Sequence, residues 1–280
     1  MQVIHTKSEM RGYSHAVRGA GERLALVPTM GYLHAGHMSL VRLARARADR
    51  MVLSIFINPL QFGAGEDLER YPRDLERDLE LARSSGVDAV FAPDTAEMYP
   101  DGEPHVVVVA EKGADLLCGA SRPGHFRGVL TVIAKLVGIV TPDLAVFGQK
   151  DYQQLTLIRR MMGDLEMNIE IVGAPVEREA DGLAMSSRNV HLSEEERSRA
   201  LALSRGLAAC RALFANGERD SHRFRVVLET VGGSGVDLEY AQIVDPDTLE
   251  CVDRVESGFV CAIAARVGST RLIDNVVLGS

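Results

Sequence analysis

Short apolar runs alternate with amphipathic stretches through the first part of the chain. Residues 24–27 and 51–57 are apolar runs suited to buried strands. Between them Met38, Leu40, Val41, Leu43 and Ala44 recur at helical spacing, while Arg42, Arg45 and Arg47 fall toward the wetter side. This order is a βαβ unit, whose natural context is a parallel sheet. A second helix is predicted over 74–84, closed by Gly86, followed by a strand over 89–92. Residues 105–109 form a β-branched run. Helical periodicity returns over 128–140, ahead of Pro142. A strand over 145–147, a helix over 152–162 and a strand over 169–172 complete the series. The predicted fold class is α/β: a doubly wound, Rossmann-like parallel sheet over 1–175, with ligands beyond the carboxyl ends of its strands.

The pattern changes near residue 176. DGLAMSSRN is polar and turn-rich, and Ser193 followed by Glu196 reads as a helix capping box. Helices are predicted over 193–214 and 219–230, with GGSG (232–235) ending the second. Residues 238–244 and 259–267 read as strands, with DPDTLE supplying turn residues between them. The second domain, 176–280, is therefore predicted to be smaller and α+β.

Composition narrows the classes. The chain has 280 residues, 46% of them hydrophobic, enough for a large core. A net charge of −8 offers no general attraction to nucleic acid or anionic lipid. Cys118, Cys210, Cys251 and Cys261 are scattered without CxxC spacing, which suits a reducing compartment. The N-terminus MQVIHTKSEM lacks the apolar core of a signal peptide, and no segment has the length of a membrane span. The expected location is cytoplasmic.

The chemistry is concentrated in PTMGYLHAGHMSL, residues 28–40. A strand ends near Pro28, a glycine-containing turn follows, and a helix begins near Gly36. Two imidazoles, His34 and His37, then share a helix N-terminus, whose unbonded N–H groups and dipole favour anions. A nucleoside triphosphate site is one reading. Ordinary packing histidines are another, and two ligands of a metal a third. No Cys, Asp or Glu stands beside them to complete a metal shell.

Beyond this loop, SIFINPLQF, SRPGHFRGV, FGQKDYQQL, DGLAMSSRN and TRLIDN occur in order. Together with PTMGYLHAGH they resemble the pantoate–β-alanine ligase family, within the nucleotidyltransferase superfamily. The likeness runs along nearly the whole chain. It implies ATP-dependent condensation of (R)-pantoate with β-alanine, giving pantothenate, AMP and pyrophosphate through a pantoyl adenylate. It also implies a homodimer, Mg²⁺ as the ATP counterion with no dedicated protein ligand, no nucleic-acid or membrane partner, and a C-terminal domain covering the ATP site.

The resemblance assigns residues one by one. His34 and His37 contact the ATP phosphates, with His37 the proton donor. The segment opened by Pro28 and Thr29 supplies further ATP contacts at Met30, Gly31, Tyr32, Leu33, Ala35 and Gly36, and Met30 also lines the acyl pocket. Gly148, Gln149, Lys150 and Asp151 form a second ATP segment, with Lys150 on the phosphates and Asp151 on the ribose side. Met185, Ser186, Ser187 and Arg188 form a third, and the backbone near Glu177 contacts adenine. Gln61 and Gln154 hold pantoate, and Gln61 borders β-alanine. The catalytic group is His37, His34 and Lys150. Asn58 and Tyr71 are secondary candidates that serve equally as turn cap and packing residue. Arg122 is a candidate for neutralising anionic substrate. Cys118 stands where some family sequences carry Glu. Two other readings use the same loop: a nucleotidyltransferase acting on a phosphorylated small molecule, and an ATP-binding regulator without catalysis. The paired glutamines, GQKDYQQ and MSSR distinguish the ligase from the first, and the presence of both histidines, Lys150 and both glutamines argues against the second. An RNA-binding module lacks a basic or aromatic platform.

Overall fold

The computed structural model describes residues 1–233 and 235–279; Ser234, within the expected GGSG break, lies outside them. Along the chain run β1 (Gln2–Ile4), α1 (Lys7–Gly19), β2 (Leu24–Thr29), α2 (Ala35–Arg45), β3 (Arg50–Ile55), α3 (Leu75–Ser84), β4 (Ala89–Phe91) and α4 (Thr95–Met98). Then come α5 (Leu117–Ser121), α6 (His125–Val140), β5 (Leu144–Gly148), α7 (Tyr152–Asp164) and β6 (Glu170–Ala174). The chain closes with α8 (Glu194–Ala215), α9 (Ser221–Glu229), β7 (Val236–Val244), β8 (Val260–Val267) and β9 (Thr270–Val277). Two compact units are present. One comprises Met1–Ala110, Pro123–Gln149 and Leu157–Pro175; the other comprises Glu111–Arg122, Lys150–Thr156 and Val176–Ser280.

The first unit carries a six-stranded sheet in the order β1-β4-β3-β2-β5-β6, and every pairing is parallel. Strands buried on both faces read as continuous apolar runs. Ala25 and Val27 of β2, Met51 and Leu53 of β3, and Leu144 and Val146 of β5 pack with Met38, Val41 and Ala44 of α2. Leu26 and Val52, facing the other way, are equally buried. Sequence order runs outward from β2 through β3 to β4 on one side and from β5 to β6 on the other, with β1 added at the far edge beside β4. The junction of β2 and β5 is the switch point at which a doubly wound sheet binds ligands. The loops after β2 and β5 both leave there.

Local signals explain most boundaries. Asp74 caps α3, accepting from Arg77 N–H at 3.2 Å. Thr6 and Glu9 form a reciprocal capping box at α1, a Thr-x-x-Glu signal that marks a helix absent from the expectation. The β-branched run 105–109 joins no strand.

In the second unit, β7-β8-β9 form an antiparallel sheet. Its core joins Leu203, Leu207 and Cys210 of α8 and Phe224 and Leu228 of α9 to Ile243, Ile263, Leu272 and Val276 of the strands. Ser193 and Glu196 form the expected capping box at α8. The sequence expectation divides the chain at 175; the compact unit holding 176–280 also contains 111–122 and 150–156.

Candidate active site

The loop after β2 is built on a buried carboxylate. Gly31 and Tyr32 are both left-handed, at φ 82° and 50°. A Cβ on Gly31 would stand 3.0 Å from both Asp78 Oδ2 and Ile55 Cγ2, so the tight turn requires glycine. Asp78, on α3 and 1% exposed, accepts from Tyr32 N–H at 2.6 Å and Leu33 N–H at 2.7 Å. Burial pushes the Asp78 carboxyl above the usual carboxylate value, and the two N–H donors pull it back. Two of the loop's backbone N–H groups are thus occupied by a side chain of the same protein. Leu33 is fully buried beneath them.

His34 caps α2. Gly36 N–H donates to His34 Nδ1 at 3.1 Å, and His34 N–H donates to His37 Nδ1 at 3.3 Å. The rings lie 4.0 Å apart, tilted by 40°. A peptide N–H can only donate, so both Nδ1 atoms accept. The neutral rings therefore carry their protons on Nε2. The backbone has oriented two imidazole donors at a helix N-terminus.

The segment after β3 forms a short 3₁₀ turn, Pro59–Gln61, capped by Asn58. Asn58 is 1% exposed; its Oδ1 accepts from Tyr99 Oη at 2.8 Å, and its Nδ2 donates to Gly128 O at 3.1 Å and Gln61 Oε1 at 3.2 Å. Asn58 is therefore a brace. Tyr71 is buried, its ring edge-on against Phe62. Gln61 Nε2 lies 3.2 Å from Met30 Sδ, joining this turn to the β2 loop, and His125 Nδ1 lies 2.8 Å from Gln61 O. A Cβ on Gly128 would stand 2.6 Å from Gln61 N and closer still to the Leu60 carbonyl. Gly128, within the SRPGHFRGV motif, is what lets α6 approach this turn.

In the second unit, Lys150 and Asp151 belong to the 3₁₀ turn Gln149–Asp151 that leads into α7. The two glutamines that follow differ. Gln153 is 4% exposed, accepting from Cys118 N–H at 3.0 Å and donating to Gly113 O at 2.8 Å and Leu116 O at 2.7 Å. It is consumed in bracing residues 113–118, whereas Gln154 is half-buried. Cys118 Sγ lies 3.2 Å from Tyr240 Oη and 3.6 Å from Arg271 Nη2. Burial pushes the Tyr240 hydroxyl well above its ordinary range, with Cys118 adding to the shift. Arg122 follows α5 as its C-cap.

Residues 177–185 form a hairpin: Met185 N–H donates to Glu177 O at 2.9 Å and Glu179 N–H to Leu183 O at 2.8 Å. Arg197 on α8 holds it through Glu179 at 2.6 Å and Asp181 at 2.8 Å. Asn189 Nδ2 ties the following turn back to Glu179 Oε1 at 2.6 Å and Ala184 O at 3.1 Å. Ser186 caps that turn, Ser187–His191, accepting from Arg188 N–H at 3.3 Å. Ser187 is 7% exposed.

The expected residues thus fall in both units. Met30 to His37, Gln61, Gly148 and Gln149 belong to the first; Lys150, Asp151, Gln154, Glu177, Met185, Ser186, Ser187 and Arg188 belong to the second. Asp78 lies outside the sequence expectation, since within ERDLELAR it reads as one more charge on a wet helix face. Among the described residues, no group of three His, Cys, Asp or Glu is placed to hold a metal ion, and no helix is long and apolar enough to cross a membrane.

Residues 2–277 match the family described as pantoate-beta-alanine ligase. The chain is 53% identical over 283 residues to a pantothenate synthetase of Geobacter sulfurreducens, covering 100% of this chain and 99% of that protein. It is 53% identical to one of Heliobacterium modesticaldum, covering 99% of each. Among solved structures, the pantothenate synthetase of Thermus thermophilus superposes with a TM-score of 0.93 at 44% identity, covering 99% of each chain. The pantoate-beta-alanine ligase of Francisella tularensis, complexed with beta-gamma ATP and beta-alanine, superposes with a TM-score of 0.82 at 30% identity, covering 99% of this chain and 97% of that one.

Proposed function

The chain belongs to the pantoate–β-alanine ligase family, and from that premise we propose how its residues divide the work of the reaction. The enzyme condenses (R)-pantoate with β-alanine using ATP, giving pantothenate, AMP and pyrophosphate. A pantoate carboxylate oxygen attacks the α-phosphorus of ATP, and the α,β-bridging bond breaks to release pyrophosphate. The amine of β-alanine then attacks the acyl carbon of the adenylate, loses a proton and expels AMP. Adenylation supplies the leaving group that a free carboxylate lacks.

The observation that carries the assignment is the pair of imidazoles with Nδ1 engaged by backbone N–H groups. Their Nε2–H groups are donors for phosphate oxygens, where charge grows during displacement. By the family resemblance, His37 is assigned as the proton donor. Lys150 adds a positive charge, Ser186 and Ser187 add hydroxyl donors, and Arg188 adds a guanidinium. Asp151 is assigned to the ribose and the backbone at Glu177 to adenine. Gly31, Tyr32 and Leu33 shape the loop, since Asp78 already takes two of its N–H groups. Gln61 and Gln154 bind pantoate through amides that donate and accept without adding charge, and Gln61 borders β-alanine. Mg²⁺ enters with ATP, carried by phosphate oxygens and water.

We assign ATP and pantoate binding to a domain over residues 1–175 and a cover over ATP to 176–280, as the family resemblance implies. The enzyme is assigned to the cytoplasm as a homodimer with no nucleic-acid or membrane partner. Sedimentation at micromolar concentration reads the dimer directly.

A product assay with ATP, Mg²⁺, pantoate and β-alanine, each omitted in turn, tests the reaction. Without β-alanine, quenched mixtures should hold pantoyl adenylate by mass spectrometry. ADP and phosphate as turnover products, with no adenylate, would reject the mechanism.

A further inference from the structure

The TRLIDN segment lies on β9, and its last two residues break the strand's pattern. Asp274 and Asn275 are each 4% exposed in a strand whose other buried positions are Thr270, Leu272 and Val276. Buried polar side chains persist only where their hydrogen bonds are met. Consecutive strand residues face opposite sides of a sheet, so these two reach different segments. Asn275 Nδ2 donates to the backbone carbonyl of Lys150 at 2.8 Å. Asp274 accepts a two-pronged bond from Arg178, at 2.7 Å to Oδ2 and 3.0 Å to Oδ1. Arg178 Nη1 also donates to Gly182 O at 3.2 Å, across the hairpin that leads into Ser186, Ser187 and Arg188. Asp274 Oδ1 receives Asn275 N–H at 2.8 Å, which links the two arms.

We propose that Asn275 is a positioning residue for adenylation. It sets the Lys150 segment, while its neighbour Asp274, through Arg178, sets the hairpin before residues 186–188. One strand end thereby holds both phosphate-binding segments of this unit in register. The inference rests on the assignment of Lys150 and Arg188 to the phosphates.

A double-mutant cycle tests it. Asn275→Ala should slow adenylation, read as pyrophosphate release from ATP and pantoate, by about tenfold, the effect of one oriented hydrogen bond. Aminolysis of pre-formed pantoyl adenylate should change by less than about twofold. Lys150→Ala should slow adenylation by about 100-fold. In that background Asn275→Ala should add less than about twofold, because the group it positions is gone. A merely structural Asn275 would slow both half-reactions and multiply with Lys150→Ala. Either result, or an unchanged adenylation rate in folded Asn275→Ala, overturns the proposal. Lys150→Ala at the wild-type rate would instead reject the Lys150 assignment and the inference built on it. If Asn275→Ala does not fold, Arg178→Lys carries the test. It keeps the charge but loses the fork, should slow adenylation, and should add nothing in an Arg188→Ala background; multiplication of the two effects overturns the proposal.

Discussion

Replacing Gly128 by Ala adds one methyl group at the point where α6 meets the Gln61 turn. That methyl would stand 2.6 Å from Gln61 N, with the Leu60 carbonyl nearer still, and these three nearest atoms are all backbone. Reaching ordinary contact requires a separation of roughly 1 Å between a helix interior and a capped turn. Ala in place of Gly favours a helix by about 1 kcal/mol. Against this, overpacking costs about 1–3 kcal/mol. Parting the elements also strains the buried bond from Asn58 Nδ2 to Gly128 O, 3.1 Å long, and an unmet buried donor costs about 1–3 kcal/mol. The net expectation is a loss of about 1–5 kcal/mol. The same shift moves Gln61, which should weaken pantoate binding by about tenfold, the equivalent of one hydrogen bond. Gly138→Ala is the control: it lies on the same helix with nothing within 4 Å of its Cβ. It should be neutral or stabilising by up to about 1 kcal/mol, with pantoate affinity unchanged. Guanidinium unfolding and calorimetric titration of pantoate compare the two. Indistinguishable stability and affinity would refute the close-approach argument.

Asp78→Asn offers one acceptor oxygen to two N–H groups and turns an amide N–H₂ toward one of them. It should cost about 1–3 kcal/mol of stability and slow adenylation more than aminolysis; equal slowing of both steps would detach Asp78 from the histidine loop. For the imidazoles, ¹⁵N-detected NMR of the neutral enzyme should report the Nε2–H form for both His34 and His37, and a proton on either Nδ1 would contradict the geometry. The Leu183 N–H holds Asp181 below the usual carboxylate value of 3.8, with Arg197 adding to the shift. Its contribution to the hairpin is therefore complete above the unfolded value and lost as pH falls through the lower folded one. The Leu183 amide resonance should hold its native position until the pH is below about 4, then move as Asp181 protonates; movement centred at or above the ordinary value would reverse the sign.

The alternation of apolar runs and helical stripes was legible in the sequence, because period and capping act within about four residues. Strands near 24–27, 51–57, 145–147 and 169–172, the capping box at Ser193, and the helix start beside His34 and His37 all follow from such local rules. Tertiary structure decided which polar residues are spent on structure. Gln153 and Gln154 are adjacent and chemically alike, yet the buried Gln153 braces residues 113–118. Asn58 reads as a turn cap, and in the fold it also holds α6. Asp78 reads as a surface charge and instead supports the histidine loop. The bonds that make these distinctions join residues far apart in sequence, 45 positions for Asp78 to Leu33, 70 for Asn58 to Gly128 and 125 for Asn275 to Lys150. A hydrogen bond acts over about 3 Å, so its partner is set by the order of strands in a sheet rather than by any spacing along the chain.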